Sequence, residues 1–479
     1  QNYVSPTWTE YPILFQNSID NKWRVYNNSI SISGSGDGTE MNTMLSAVVN
    51  VDNDATLVYT YSTYNTSNNL RVMLDGELVQ SITASQASTA YWHNNDYQTR
   101  RYYIELTPGK HDISWTYTFS GDNNTNLSCS LSDIGVQNTP TITPATTTVE
   151  GQLGTEVLKL VDPVSSVKKI VINGVIGADD WTTIGLMVNA FSIDMSGATS
   201  TIALPASMFT KDKFPFLHNV KLPQGLTEIG DNAFYKSDIE GTIDIPSTVK
   251  TIGYSAFFNT KLASVNIPEG VTSIGSSAFS YCFFLEHAPI PATVAVIPSS
   301  CFQYCHNLRT FEIPEGITEV GSSAFVHCWN FNARFPSSMA TIRYNAFQWT
   351  PTDSLFVTDG MTVENAAFSN CGSLVYAEWP STYANAGGNG IVTSCAKLNK
   401  VVLKSPTVLK YSSQNFLSGN TLGNITLLVP DFLESAYKLD PYWYQCNVQS
   451  FNSADNTDWQ VSQPLTLNPG QRIGGTPNL

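Results

Sequence analysis

The chain has 479 residues, 42% of them hydrophobic, enough for two or three domains with sizeable cores. Lysine and arginine number 24 against 39 aspartates and glutamates, a net charge of −15; a surface of that sign repels phosphate backbones and excludes nucleic acid as a partner. No apolar run approaches the roughly 18 residues that cross a membrane as a helix.

The chain opens on Gln1 and Asn2 without a signal peptide and reads as a mature or trimmed form. Its low-charge, Asn- and Thr-rich style fits an exported protein. It would be secreted or held at the outer surface, with a lipid anchor on a removed leading segment as one route. Residues 1–137 read as strands. Ile113, Trp115, Tyr117 and Phe119 alternate with polar residues and share one face. Asp75-Gly76 between Val72–Leu74 and Leu78–Val79 is a two-residue hairpin signal, and 47–64 gives further strand. Many short strands without a helical pattern predict a β-sandwich of jelly-roll type. The loop 91–97 carries Tyr91, Trp92 and Tyr97 among Asn and Asp residues, a composition suited to stacking on sugars and bonding their hydroxyls. The alternative is that Tyr91 and Trp92 end a strand in the core. Gly34–Gly38 is a turn rather than a phosphate loop, and Asp37 within it is a candidate ligand for a structural calcium.

Residues 138–151, rich in threonine and proline, predict an extended, poorly packed linker. From 152 a repeat governs the chain. Six stretches, 222–234, 245–257, 267–279, 290–302, 313–325 and 335–347, are copies of one another, with prolines 22 or 23 residues apart. Such a period predicts a solenoid whose coils bury their apolar faces only by stacking. In one coil, Leu262, Val265, Ile267, Val271 and Ile274 point inward, Gly275 turns a corner, and Ala278-Phe279 plugs the core. Pro298 and Arg343 replace the corner glycine, where local distortion is expected. Irregular coils at 167–172 and 201–205 begin the stack. Degenerate coils follow residue 347, a short helix near 429–438 closes the solenoid at about 452, and the polar tail 453–479 is not placed.

Cys282, Cys305, Cys328 and Cys371 each lie three residues after the plug phenylalanine, and Cys395 fills the same slot; elsewhere the slot holds Ser237, Thr260 or Thr350. With Cys301 at an alanine position, six of the eight cysteines read as buried free thiols, not disulfides or metal ligands. The chain shows no zinc motif and no nucleophile elbow, and carboxylates such as Glu228, Glu269 and Glu315 recur with the repeat and read as solvated edges, so neither catalytic nor metal-binding residues are assigned, and no cofactor.

The unit Leu-x-x-Val-x-Ile-Pro-x-x-Val-x-x-Ile-Gly-x-x-Ala-Phe-x-x-Cys, clearest at 262–282 and 308–328, resembles the BspA-like leucine-rich repeat over roughly 200–450. The resemblance implies a stacked parallel sheet and a surface or secreted protein of anaerobic gut or oral bacteria. Its ascribed roles are adhesion and host or glycan binding. The expected protein is therefore a mostly β monomer, sandwich 1–137 and solenoid 152–452, binding polysaccharide or a host or bacterial surface protein. The alternatives are a spacer that displays the sandwich and, less favoured, a glycan-active hydrolase.

One feature exceeds the repeat. The second residue after the plug phenylalanine runs Lys236, Asn259, Tyr281, Tyr304, His327, Trp349, and the fourth is Phe283, His306 and Trp329 in the middle coils. These aromatics predict a strip with rings about 5 Å apart, open to a sugar ring or a partner's side chain. The alternative reading is that these rings merely cover the coil edge or pack under a neighbouring loop.

Overall fold

The computed structural model describes residues 11, 13–16, 24–26, 29–35, 41–63, 68–83, 98–119, 126–309, 311–382, 390–409 and 416–453. The chain divides into two compact units, Gln1–Pro351 and Thr352–Leu479.

Among the described residues the first unit begins with ten strands: β1 (Leu14–Gln16), β2 (Arg24–Tyr26), β3 (Ser29–Ser35), β4 (Met41–Val51), β5 (Ala55–Thr63), β6 (Asn68–Leu74), β7 (Glu77–Thr83), β8 (Gln98–Leu106), β9 (Gly109–Phe119) and β10 (Asn126–Asn138). They form two antiparallel five-stranded sheets, ordered β1-β4-β9-β6-β7 and β2-β3-β10-β5-β8. The alternation in the sequence produces the core between them: Leu45, Val49, Tyr59, Val72, Ile104, Ile113, Trp115, Tyr117 and Leu131 are all buried. The hairpin at Asp75-Gly76 forms as expected, both residues having positive φ (52° and 88°). The stretch 47–63 is two strands joined by a turn at 52–54.

Residues 138–151 are extended, but they do not form the loose linker expected. The strand β11 (Thr141–Ile142) pairs in parallel with β12 (Lys169–Val175), and Thr139 and Thr147 are buried. Thr147 donates its N–H to Asn173 O (3.2 Å) and its hydroxyl to Val175 O (2.8 Å). Gly174 (φ 96°) permits this approach: a Cβ there would lie 2.0 Å from Thr147 O. The segment covers the otherwise open edge of the first parallel sheet, a role that composition alone does not reveal. Two short helices that the sequence reading did not anticipate follow, α1 (Leu153–Leu158) and α2 (Ala178–Ile184). Buried Asp180 accepts N–H donors from Gly151, Leu153 and Gly177 at 2.8–2.9 Å and ties the segment's end to α2. The strands β13 (Ser192–Thr199) and β14 (Asn219–Lys221) complete the parallel sheet β11-β12-β13-β14.

The coils follow, each contributing two-residue strands such as Glu228–Ile229, Thr251–Ile252 and Ser273–Ile274, paired in parallel. The inward set read from one coil is confirmed: Leu262, Val265, Ile267, Val271, Ile274, Ala278 and Phe279 are buried. The plug rings of Phe209, Phe234, Phe257, Phe279, Phe302, Phe325 and Phe347 stack in one column with neighbouring centroids 5.1–5.5 Å apart. Neither corner substitution breaks the stack. Arg343 keeps the rung that glycine makes, its N–H donating to Val320 O (2.9 Å), and its guanidinium pairs with Glu319. Pro298 has no N–H to give, yet Ile297 still pairs with Val320.

All eight cysteines are buried free thiols. Cys282, Cys305 and Cys328 donate S–H to the plug carbonyls of the preceding coil, Phe257, Phe279 and Phe302, at 3.0–3.1 Å. The slot thus holds a small donor whose S–H adds a second hydrogen bond to a carbonyl that already accepts a backbone N–H, from Thr260, Cys282 and Cys305 in turn. Burial pushes the Cys282 thiol up to about 11, so it stays protonated and unreactive.

In the second unit, Ser354–Phe356, Tyr376–Trp379, Lys400–Leu403, Thr426–Pro430 and Asn447–Phe451 form a parallel five-stranded sheet, and the closing helix is Glu434–Leu439.

Candidate functional site: an aromatic ladder on consecutive coils

Each coil turns past its plug phenylalanine through a short arc with two residues in the left-handed region. The first stands two before the phenylalanine and is small or Asn: Asn232, Ser255, Ser277, Ser300, Ser323, Asn345. The second stands two after it: Lys236, Asn259, Tyr281, Tyr304, His327 and Trp349, with φ between 53° and 62°. That geometry aims the backbone N–H along the solenoid axis. Tyr281 donates to Gln303 O (2.7 Å), Tyr304 to Val326 O (2.7 Å) and His327 to Gln348 O (3.0 Å). The backbone demands the conformation and not the ring. Asn and Lys serve in two coils, and a left-handed L-residue costs roughly 1–2 kcal/mol.

The rings form two files. In the first, Tyr281 stacks on Tyr304 (centroids 4.7 Å, 20°), Tyr304 on His327 (4.7 Å, 21°) and His327 on Trp349 (5.7 Å, 9°). In the second, Phe283 tilts against His306 (5.1 Å) and His306 lies on Trp329 (3.8 Å, 10°). Edge-to-face contacts join the files at Tyr281–Phe283 (5.9 Å) and His327–Trp329 (5.9 Å), and Trp329 Nε1 donates to His327 Nδ1 at 3.2 Å. All seven residues of the expected strip are therefore brought together. Their orientation differs from the flat strip expected: within a file the rings stack face to face, so each occupies its neighbour's face. The reason is the coil spacing, which matches the thickness of stacked rings.

Exposure is graded along the ladder. His306 and His327 are buried, Tyr281, Phe283 and Tyr304 half-buried, and Trp329 and Trp349 stand 39% and 43% exposed. Burial, with His327 adding a smaller push, holds the His306 imidazole down to about 3, and burial holds His327 down to about 4; both are neutral at pH 7. Neither ring nitrogen of His306 has a hydrogen-bond partner.

The sequence reading missed two rungs. Tyr235 stacks on Phe258 (5.0 Å), and Phe258 meets Tyr281 (5.3 Å), extending the ladder by two coils. Both stand one residue after the plug, and an aromatic there in adjacent coils was the available signal. Tyr91, Trp92 and Tyr97 lie outside the described residues, as does Asp37. Among the described residues no group of three or more His, Cys, Asp or Glu side chains could hold a metal ion.

The sandwich meets the same side of the coils. Tyr103 of β8 lies flat on His218 (3.9 Å, 12°), Arg101 donates to Pro215 O (2.7 Å) with its guanidinium 5.2 Å above Phe216, and Arg100 pairs with Glu240 (3.1 Å) with its guanidinium 4.1 Å above Phe284.

The sequence matches the BspA type leucine rich repeat region in six copies, over residues 189–260, 227–353 and 340–458, more than half the chain. The chain belongs to the BspA-type leucine-rich repeat family. Solved structures similar to it include a leucine-rich repeat protein from Bacteroides ovatus, 19% identical over 60% of this chain and 66% of that one, with TM-score 0.39. This chain thus spans just under two thirds of that relative. A leucine-rich cell surface protein from Faecalibacterium prausnitzii is 22% identical over 53% of this chain and 76% of that one, with TM-score 0.32. A family 35 carbohydrate binding module from Clostridium thermocellum is 16% identical over 25% of this chain and 90% of that one, with TM-score 0.15. No curated protein matches. At these identities and scores the likenesses assign no ligand to this BspA-type chain.

Proposed function

We propose that this protein is a non-catalytic binding or adhesion protein, secreted or displayed at the bacterial surface, whose ligand seats on the aromatic ladder. One observation carries this reading. Tyr281, Tyr304, His327 and Trp349 occupy left-handed positions where the coil accepts Asn259 or Lys236. The backbone cost is the same for Lys236 as for a ring, so the left-handed turn does not call for aromatics. Four consecutive large rings that the coil does not require, ending in the exposed Trp349, point to function.

The test replaces the two exposed ends, Trp329→Ala with Trp349→Asn, and compares binding of whole protein to a glycan array and to bacterial and host cell surfaces. The double variant should lose binding and melt within a few degrees of wild type. Undiminished binding would make the ladder an edge cover, and the solenoid a spacer for the sandwich.

A further inference from the structure

We propose that the ladder is a docking site for a protein strand bearing arginine and tyrosine, as the continuation of the surface on which the chain's own sandwich sits. The proposal rests on the binding reading above and names its ligand class. The fourth residues after the plug phenylalanines form one file: Asp238, Lys261, Phe283, His306, Trp329. Its first members lie under the sandwich. Tyr103 donates its hydroxyl to Asp238 (3.4 Å), and Arg100 reaches Glu240 and Phe284, the residue after Phe283. Among the described residues, these sandwich contacts end at Phe284, and the file runs on to His306 and an exposed Trp329.

The covered stretch shows what this face binds. The edge strand β8 presents Arg100, Arg101 and Tyr103 in succession to Phe284, Phe216 and His218, two guanidinium-over-ring contacts and one flat ring-on-imidazole contact. The stretch beyond Phe284 offers the same kinds of ring, without the carboxylates Asp238 and Glu240: a histidine among large rings in each file, with both tryptophans exposed at the far end. The files fill most of their ring faces with one another, which leaves the exposed Trp329 and Trp349 to receive a guanidinium or a tyrosine ring. The net charge of −15 draws a cationic segment in and gives a neutral saccharide no such pull.

The probe is a nine-residue peptide with the sequence of Gln98–Leu106, fluorescently tagged and titrated with the full chain while anisotropy is followed. Saturable binding is expected. It should weaken at least tenfold in the Trp329→Ala chain, recover in the Trp329→Phe chain, and weaken at least tenfold when both peptide arginines become glutamine. Unchanged anisotropy to millimolar protein, or equal binding by the Trp329→Ala chain, overturns the proposal. A glycan array on the same proteins separates the two readings. Trp329-dependent glycan binding without peptide binding removes this inference and leaves the ladder a binding site; no Trp329-dependent binding of either kind removes both.

Discussion

His306 lies flat against Trp329, with ring centroids 3.8 Å apart and planes within 10°. Burial first, His327 second, holds the His306 value down to about 3, so the ring in this contact is neutral at pH 7. In the unfolded chain the same ring titrates near about 6.5. As pH falls below that, the unfolded state takes up the proton and the folded state does not. The ring's contribution to stability is complete above about pH 6.5 and is lost as pH falls toward 3. Melting temperature should therefore drop between pH 7 and pH 4.5, and drop less in His306→Phe. Equal drops in the two proteins would contradict this.

The sandwich carries a histidine of the opposite sign. Partial burial acts to lower the His111 value. The Thr107 carbonyl on Nε2 (2.7 Å) and the Asp75 carboxylate on Nδ1 (2.7 Å) outweigh it and raise the value above the ordinary range. This contribution is complete below the unfolded value near about 6.5 and is lost as pH rises through the folded one. Hydrogen exchange at the Asp75-Gly76 hairpin should speed up between pH 6 and pH 8.5 beyond its intrinsic pH dependence. His111→Gln should abolish that excess.

Adjacent aromatics in one arc should respond very differently to substitution. Tyr304→Asn relieves left-handed strain while losing two stacked contacts, and is expected to change stability by less than about 1 kcal/mol. Phe302→Ala empties the plug and is expected to cost about 3–5 kcal/mol. Urea unfolding of both variants decides; a Tyr304→Asn cost as large as the plug's would make the ladder a structural element.

The thiol column predicts chemistry as well as stability. Cys328→Ala removes one of the two hydrogen bonds to the Phe302 carbonyl, which keeps the Cys305 N–H at 3.0 Å, and is expected to cost about 0.5–1.5 kcal/mol, whereas Cys328→Thr, the residue found at 260 and 350, should cost less. Thiol titration should count eight groups in denaturant and essentially none in the native protein.

Much of this fold is written in the sequence. A period of 22 or 23 residues dictates coils, and the inward set around Val265 and Phe279 follows residue by residue. The ladder's membership was legible for the same reason, since equal positions in successive coils must be neighbours. Its orientation was not. Whether Tyr304 turns its face outward or onto His327 depends on a left-handed backbone angle that leaves no signature in a single coil. The junction was also hidden. Arg101 and Pro215 lie 114 positions apart, and no periodicity links them. Thr147 read as linker because threonine and proline suit both a loose tether and a covering edge strand.

The plug column has a consequence for how such a protein changes over generations. Each of Phe234 to Phe325 meets a phenylalanine on either side at 5.1–5.5 Å, so a whole coil can be gained or lost in register and every surviving ring still finds a partner. A duplication of 22 or 23 codons would add one rung to the ladder and about 5 Å to its reach without disturbing the interior. The molecule's length is thus a heritable dial, one that alters what the surface can span while leaving the core chemistry unchanged.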